Sequence, residues 1–234
     1  MATLKYYGHA CWELKQDTTS VLIDPWFTGN PHAGSVPADL KPTLILVTHA
    51  HGDHLGDAVA ISKSSGAAIV ATPELANWCT SQGAKAQSLH MGGTLKQGFG
   101  WVKTIPAFHT SSIGSDQGPR MLGTPVGFIV NFFGTTIYHA GDTCVFGDMK
   151  LFAELTPIDI AILPMGGHFT MDVQEATKAV ELIRPKVAIP MHYKSFPVIQ
   201  VEPEEFQKSV DALGGPAKAV VVPIGGSWEI PSSL

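Results

Sequence analysis

Charge of either sign is scarce in this chain: only 15% of its 234 residues are Asp, Glu, Lys or Arg, and the formal net charge is −5. The 15 Lys and Arg residues are dispersed, so the basic footprint that holds a phosphate backbone is missing and no nucleic-acid partner is expected. Cysteine is rarer still. Cys11, Cys79 and Cys144 are an odd set without paired spacing, which excludes a disulfide framework, and Cys144 reads as a small buried residue. No apolar run reaches the roughly 18 residues that a membrane span needs. The start M-A-T-L-K-Y-Y-G-H-A lacks the charged, apolar and cleavable regions of a secretory signal, so a cytoplasmic protein without a membrane partner is expected. Low-complexity linkers, heptads and solenoid-length repeats are also absent. What remains is 44% apolar residues, enough for one domain over residues 1–234 with a large core.

Histidine is where the chain is rich. Residues 48–55 read T-H-A-H-G-D-H-L directly after the apolar run Leu44, Ile45, Leu46, Val47. The run reads as a buried strand, and His49 and His51 leave its end at the period-2 spacing that puts both on one side, where they can share an ion. Gly52 permits a sharp change of direction, so Asp53 and His54 can be aimed at a second ion. A lone His beside a strand is usually a satisfied structural residue. Four donors in six residues are another matter: with 10 His and 11 Asp in 234 residues, H-x-H-x-D-H arises by chance on the order of once in a thousand chains. Single donors recur at the ends of later apolar strands, with His109 in I-P-A-F-H-T, Asp142 in A-G-D-T and His192 in P-M-H-Y.

Short strands are predicted at residues 3–7, 10–14, 20–23 and 44–47, with turns at Gly8 and around residues 16–18. Helices are predicted at 56–64, 73–81, 148–155 and 172–183. In the last, Ala176, Ala179, Val180 and Ile183 share a face and Pro185 stops the helix before a strand at 186–190. Residues 109–125, with Gly114, Gly118, Pro119 and Gly123, read as a mobile substrate loop.

The ordered set H-A-H-G-D-H, His, A-G-D-T, P-M-H-Y resembles the metallo-β-lactamase superfamily over nearly the whole chain. The segments G-H-A-C-W, L-I-D-P-W-F, G-G-H-F-T-M-D and P-M-H-Y-K-S-F-P are similar to the branch of predicted metal-dependent hydrolases that also contains bacterial ascorbate-6-phosphate lactonase. The resemblance implies an α+β fold, an αββα four-layer sandwich of two packed mixed sheets with helices on the outer faces. It also implies two divalent ions per chain, one held by His49, His51 and His109, the other by Asp53, His54 and His192, with Asp142 bridging. Zn is the first choice, with Mn, Fe or Ni as alternatives. His51 stands where the diiron flavoproteins of the superfamily carry Glu, so the chain looks hydrolytic rather than redox.

Two ions sharing a water would bring its pKa from 15.7 toward about 7 and polarise the substrate oxygen, so a bridging hydroxide would attack carbon or phosphorus. Asp53 is read as both ligand and proton shuttle, and Asp24 as the carboxylate that orients a ligand imidazole, against the plainer reading of a turn Asp before Pro25. His168 is a second catalytic candidate, placed to bind substrate or donate to an oxyanion. His9 is a weaker candidate for the pocket rim; His32, His90 and His139 are read as structural or exposed, and Lys194 as an exposed loop residue. The expected function is hydrolysis of a small-molecule lactone, ester or amide, with phosphodiester or phospholipid cleavage as the alternative and a non-catalytic metal sensor as the third reading. A homo-oligomer is expected.

Overall fold

Alternation along the first strands decides which way each side chain faces. The computed structural model describes every residue except Ser233, and it opens with β1 (Thr3–Gly8), β2 (Cys11–Gln16), β3 (Thr19–Ile23) and β4 (Leu44–Leu46). There follow α1 (Gly52–Leu55), α2 (Ala58–Ser65), β5 (Ala68–Ala71), α3 (Pro73–Ser81) and β6 (Ala86–Ser88). Val21, Ile23, Leu44, Leu46 and Val70 face the large core, while Leu22, Ile45, Ile69 and Ala71 face the opposite way onto Ile61, Leu75, Ala76 and Cys79 of α2 and α3. Both faces of these strands are thus buried, which is why their sequences are continuously apolar.

The second half runs β7 (Thr94–Gln97), β8 (Gly100–Pro106), β9 (Ser112–Ile113), β10 (Arg120–Met121), β11 (Val126–Phe132), β12 (Thr135–His139) and α4 (Asp148–Leu155). It continues with β13 (Ile160–Pro164), α5 (Val173–Ile183), β14 (Val187–Met191), α6 (Pro203–Ala212), β15 (Lys218–Ala219) and β16 (Ser227–Glu229). The strands form two seven-stranded sheets, β16-β1-β2-β3-β4-β5-β6 and β15-β14-β13-β12-β11-β8-β7, and a two-stranded ribbon, β9-β10. Each large sheet begins with antiparallel strands and then adds parallel ones: β3 to β6 in the first, β12 to β15 in the second. The two sheets pack face to face, α2 and α3 cover one outer face and α4, α5 and α6 the other, giving the αββα sandwich.

Helix α5 starts with a reciprocal capping box, Asp172 accepting from the Glu175 amide at 2.8 Å, and ends at Arg184 in the left-handed region before Pro185. The helix expected at 56–64 is α2, which starts two residues later because Gly56 and Asp57 separate it from the short turn α1. Gly56 has φ 41°, and a Cβ there would lie 2.6 Å from both Pro25 O and Trp26 Cα. The break lets Asp57 accept from the amides of Phe27 and Thr28 at 2.9 and 2.8 Å, so the chain after His54 is docked against residues 25–28. Asp53 and His54 consequently sit on the helical turn α1 rather than on a loop. The segment expected as a mobile loop carries the β9-β10 ribbon, and its base is pinned where the Ser111 hydroxyl donates to Leu122 O at 3.0 Å and accepts from the Ala50 amide at 3.1 Å.

Candidate metal centre

The donors converge because they leave corresponding ends of the two sheets. His49 and His51 follow β4, Asp53 and His54 ride on α1, His109 follows β8, Asp142 follows β12 and His192 follows β14. Ligand atoms of His49, His51 and His109 lie within 4.8 Å of one another; so do those of His9, Asp53, His54 and His192, and those of His49, His54 and Asp142. Asp142 faces both sides of the cluster: Oδ1 is 3.2 Å from His54 Nε2, and Oδ2 is 3.0 Å from His192 Nε2 and 3.6 Å from His109 Nε2.

Among the described residues, His54 Nε2, Asp142 Oδ1 and both ring nitrogens of His192 are buried without a hydrogen-bond partner. The imidazole–carboxylate pairs are close but off-axis. Leaving one such group unsatisfied costs about 1–3 kcal/mol, and here three of them, His54 Nε2, Asp142 Oδ1 and His192 Nε2, lie together. Imidazole and carboxylate donors so arranged suit divalent Zn, Mn, Fe, Co or Ni. The residues present therefore fit the implied ions.

A second layer of contacts aims the rings. Asp24, at φ 46° just past β3, is fully buried. Its Oδ1 accepts from the Thr48 amide at 2.8 Å, and its Oδ2 lies 2.7 Å from both Thr48 Oγ1 and His54 Nδ1. Bonding Nδ1 turns His54 Nε2 toward Asp142. Thr48 Oγ1 also lies 2.9 Å from His49 Nδ1, which leaves His49 Nε2 facing the centre.

Burial opposes charge here, and charged partners outweigh it at His54, Asp142 and Asp53 but not at His49, His51, His109 and His9. For His54, burial is outweighed by the Asp142 and Asp24 carboxylates, which hold it well above the usual histidine range. Burial likewise works against ionised Asp142, and His192 and His54 outweigh it, keeping the carboxyl far below its ordinary range. Asp53 is held down in the same way by the His9 hydrogen bond and the His54 charge. Burial and then His54 push His49 well down, burial lowers His51 and His109, and burial with the neighbouring His192 brings His9 down to about 4.

The remaining candidates separate clearly. His168 is exposed, lies edge-on to Phe169 at 4.7 Å and joins none of the donor groups. Lys194 is ion-paired with Glu202, and its neighbour Tyr193, also beside the ligand His192, is buried against Tyr6. Cys144 is exposed, not buried: it follows Asp142 and Thr143 out of the centre toward the surface. His9, expected at the rim, is fully buried. The pairing of β1 and β2 shifts register between Tyr6 and Gly8, and Gly8 and His9 take φ 101° and 59°, which turns the imidazole inward. Thr48 and Ser195 were not singled out by sequence; their only signal was adjacency to ligand histidines. Aromatic side chains flank the centre: Trp26 and Phe196 stack at 5.6 Å, Phe169 meets Phe196 at 5.9 Å, and Phe108, 58% exposed beside His109, packs on Phe146 at 4.9 Å.

His139 has a purely structural place, its Nε2 donating to Ala10 O at 3.0 Å and its Nδ1 accepting from the Gly141 amide at 3.2 Å. Burial lowers its pKa against the pull of Asp24. A histidine held neutral in the fold binds its proton first in the unfolded chain, so its stabilising effect is complete above the unfolded value and is lost as pH falls below about 6.5. His139→Gln is expected to reduce the acid-side slope of unfolding free energy by up to one proton, at most about 1.4 kcal/mol per pH unit, measured by urea unfolding between about pH 7.5 and pH 5.5. An unchanged slope would contradict this account.

Comparisons with known proteins identify the family and the fold. The family model described as beta-lactamase superfamily domain matches residues 3–192. A UPF0173 metal-dependent hydrolase of Carboxydothermus hydrogenoformans is 47% identical over 212 residues, 90% of this chain and 93% of that one. One from Pyrococcus abyssi is 48% identical over 234 residues, 98% and 100% of the two chains. Among solved structures, Igni18, a metallo hydrolase from the hyperthermophilic archaeon Ignicoccus hospitalis, superposes with a TM-score of 0.87 at 35% identity, covering 98% of this chain and 99% of its own. The metallo-beta-lactamase fold protein YhfI of Bacillus subtilis gives 0.74 at 13% identity over 98% and 100%, a likeness of fold.

Proposed function

Because the chain belongs to the beta-lactamase superfamily domain family and to the UPF0173 metal-dependent hydrolases, it is a metal-dependent hydrolase, and we propose that its centre is dinuclear and cleaves an uncharged small-molecule lactone, ester or amide. The observation that carries this reading is the set of buried, partnerless donor atoms on His54, Asp142 and His192. His49, His51 and His109 would hold one divalent ion, Asp53, His54 and His192 the other, and Asp142 would touch both, with Zn, Mn, Fe or Ni all compatible with the donors. Bound there, the ions would supply an acidified water and a Lewis acid that polarises the substrate's carbonyl oxygen and so makes its carbon more electrophilic.

The chain's own residues supply orientation. Asp53 is 24% exposed while His9, His54 and His192 around it are buried, so it is the member of its group that meets incoming water and can take a proton from it. Trp26, Phe169, Phe196 and Phe108 make the approach apolar, and the adjacent Lys194 is already paired with Glu202. That setting favours a neutral acyl group over a phosphorylated one.

Elemental analysis of freshly purified protein, paired with turnover on lactones, carboxylic esters, amides and phosphodiesters before and after chelation and metal return, tests the reading. About two ions per chain and an acyl-directed activity that disappears on chelation and returns with metal are expected. Restorable activity confined to phosphodiesters would overturn the substrate class. Bound metal with a metal-dependent shape change and no turnover on any substrate would overturn the hydrolytic role assigned to this centre.

A further inference from the structure

Within the group His9, Asp53, His54 and His192, His9 alone has both ring nitrogens engaged by protein groups other than imidazoles. Its Nε2 lies 3.1 Å from Asp53 Oδ2 and its Nδ1 2.5 Å from Ser195 Oγ. An ionised carboxylate only accepts, so Nε2 carries the proton; Nδ1 is then a lone pair, and the Ser195 hydroxyl donates to it. The backbone is held as firmly. The His192 amide and the Tyr6 phenol both donate to His9 O, at 2.7 and 3.0 Å, and the ring packs 3.9 Å from that of His192 and 5.0 Å from that of Trp26.

We propose that His9 is a positioning residue for Asp53: its Nε2–H fixes one carboxylate oxygen so that the other is presented to the centre, and Ser195 fixes the tautomer that makes this possible. This rests on the metal centre proposed above. It assigns His9 a different task from the ligand histidines, since a ligand must present a lone pair where His9 presents a proton. The two short contacts also connect segments far apart in sequence: the tip of the β1-β2 hairpin carries the ring, α1 carries the carboxylate, and the chain after β14 carries the hydroxyl along with His192.

The test uses the full-length, zinc-loaded protein, with p-nitrophenyl acetate and bis(p-nitrophenyl) phosphate as turnover probes and a two-bond proton–nitrogen-15 spectrum of the imidazoles as a readout independent of turnover. The spectrum is expected to show His9 protonated at Nε2 and unprotonated, without metal, at Nδ1. His9→Ala should keep the wild-type number of ions and lower kcat about 10- to 100-fold with KM little changed. His9→Gln, whose amide can still donate to Asp53, should recover most of that loss, and Ser195→Ala should fall between. A zinc-bound His9 Nε2, loss of one ion in His9→Ala, or an unchanged kcat in both His9→Ala and Ser195→Ala would each overturn the assignment. Should His9→Ala not fold, the wild-type tautomer and Ser195→Ala decide the matter. If the wild-type protein turns over neither probe, carboxylic ester and phosphodiester fail as the bond cleaved, and the tautomer and ion count still judge His9.

Discussion

Asp142→Ala is expected to leave the protein with fewer than two ions per chain and to lower metal-dependent turnover by at least about a thousandfold. Among the described residues, Asp142 is the only carboxylate that reaches both sides of the cluster, with His54, His192 and His109 at 3.2, 3.0 and 3.6 Å. Its removal leaves imidazoles facing one another with no anion between them. Asp142→Asn separates charge from shape: it keeps the outline but offers an NH2 group where a lone pair is needed, so metal loss should be nearly as complete. Elemental analysis after gel filtration, alongside rates at saturating metal, reads the result. Full retention of both ions in either variant would remove Asp142 from the centre.

The second large effect is on stability. Asp24→Ala would strand the Thr48 amide, the Thr48 hydroxyl and His54 Nδ1, all buried and all now bonded to that one carboxylate at 2.7–2.8 Å. Losing one partner of a buried charged network costs about 3–5 kcal/mol, and losing a contact that aims a ligand ring costs a further 10- to 100-fold in metal affinity. Urea unfolding in the presence of a chelator isolates the first term, because the network lies behind His54 and is complete without an ion. A loss under about 1 kcal/mol there would show that Asp24 matters only through the metal. Asp24→Asn, which tolerates the positive φ, should recover part of the stability but not the charge that holds His54 high.

Helices were legible where their punctuation is chemical: Pro73 opens α3 at its first turn, and Asp172 caps α5 ahead of an apolar stripe that ends at Arg184 and Pro185. The donors were legible because each follows an apolar strand, so strand ends alone locate them without the sheet order. The sheet order was not. Pairing of β16 with β1 joins the two ends of the chain, and no local pattern encodes a contact at that separation. His9 was undervalued for a related reason, since its inward direction depends on a register shift and a positive φ rather than on the residue itself. The helix break at Gly56 hinges on Pro25 and Trp26 lying against it, again a distant contact. Cys144, read as a small buried residue because the ligand set is complete without it, is exposed, since the chain turns outward immediately after Thr143.

The two sheets meet in sequence at a short exposed stretch around His90, Met91 and Gly92. Every group of donors draws on both sides of it: His49 and His51 need His109, Asp53 and His54 need His192, and the pair His49 and His54 needs Asp142. Neither half of the chain therefore owns a complete coordination sphere. A chain severed at that stretch would give two pieces held by the shared apolar core, by the pairing of β16 with β1 and by any ion clasped between them, so the free concentration of metal in the surroundings would add to how firmly they stay joined.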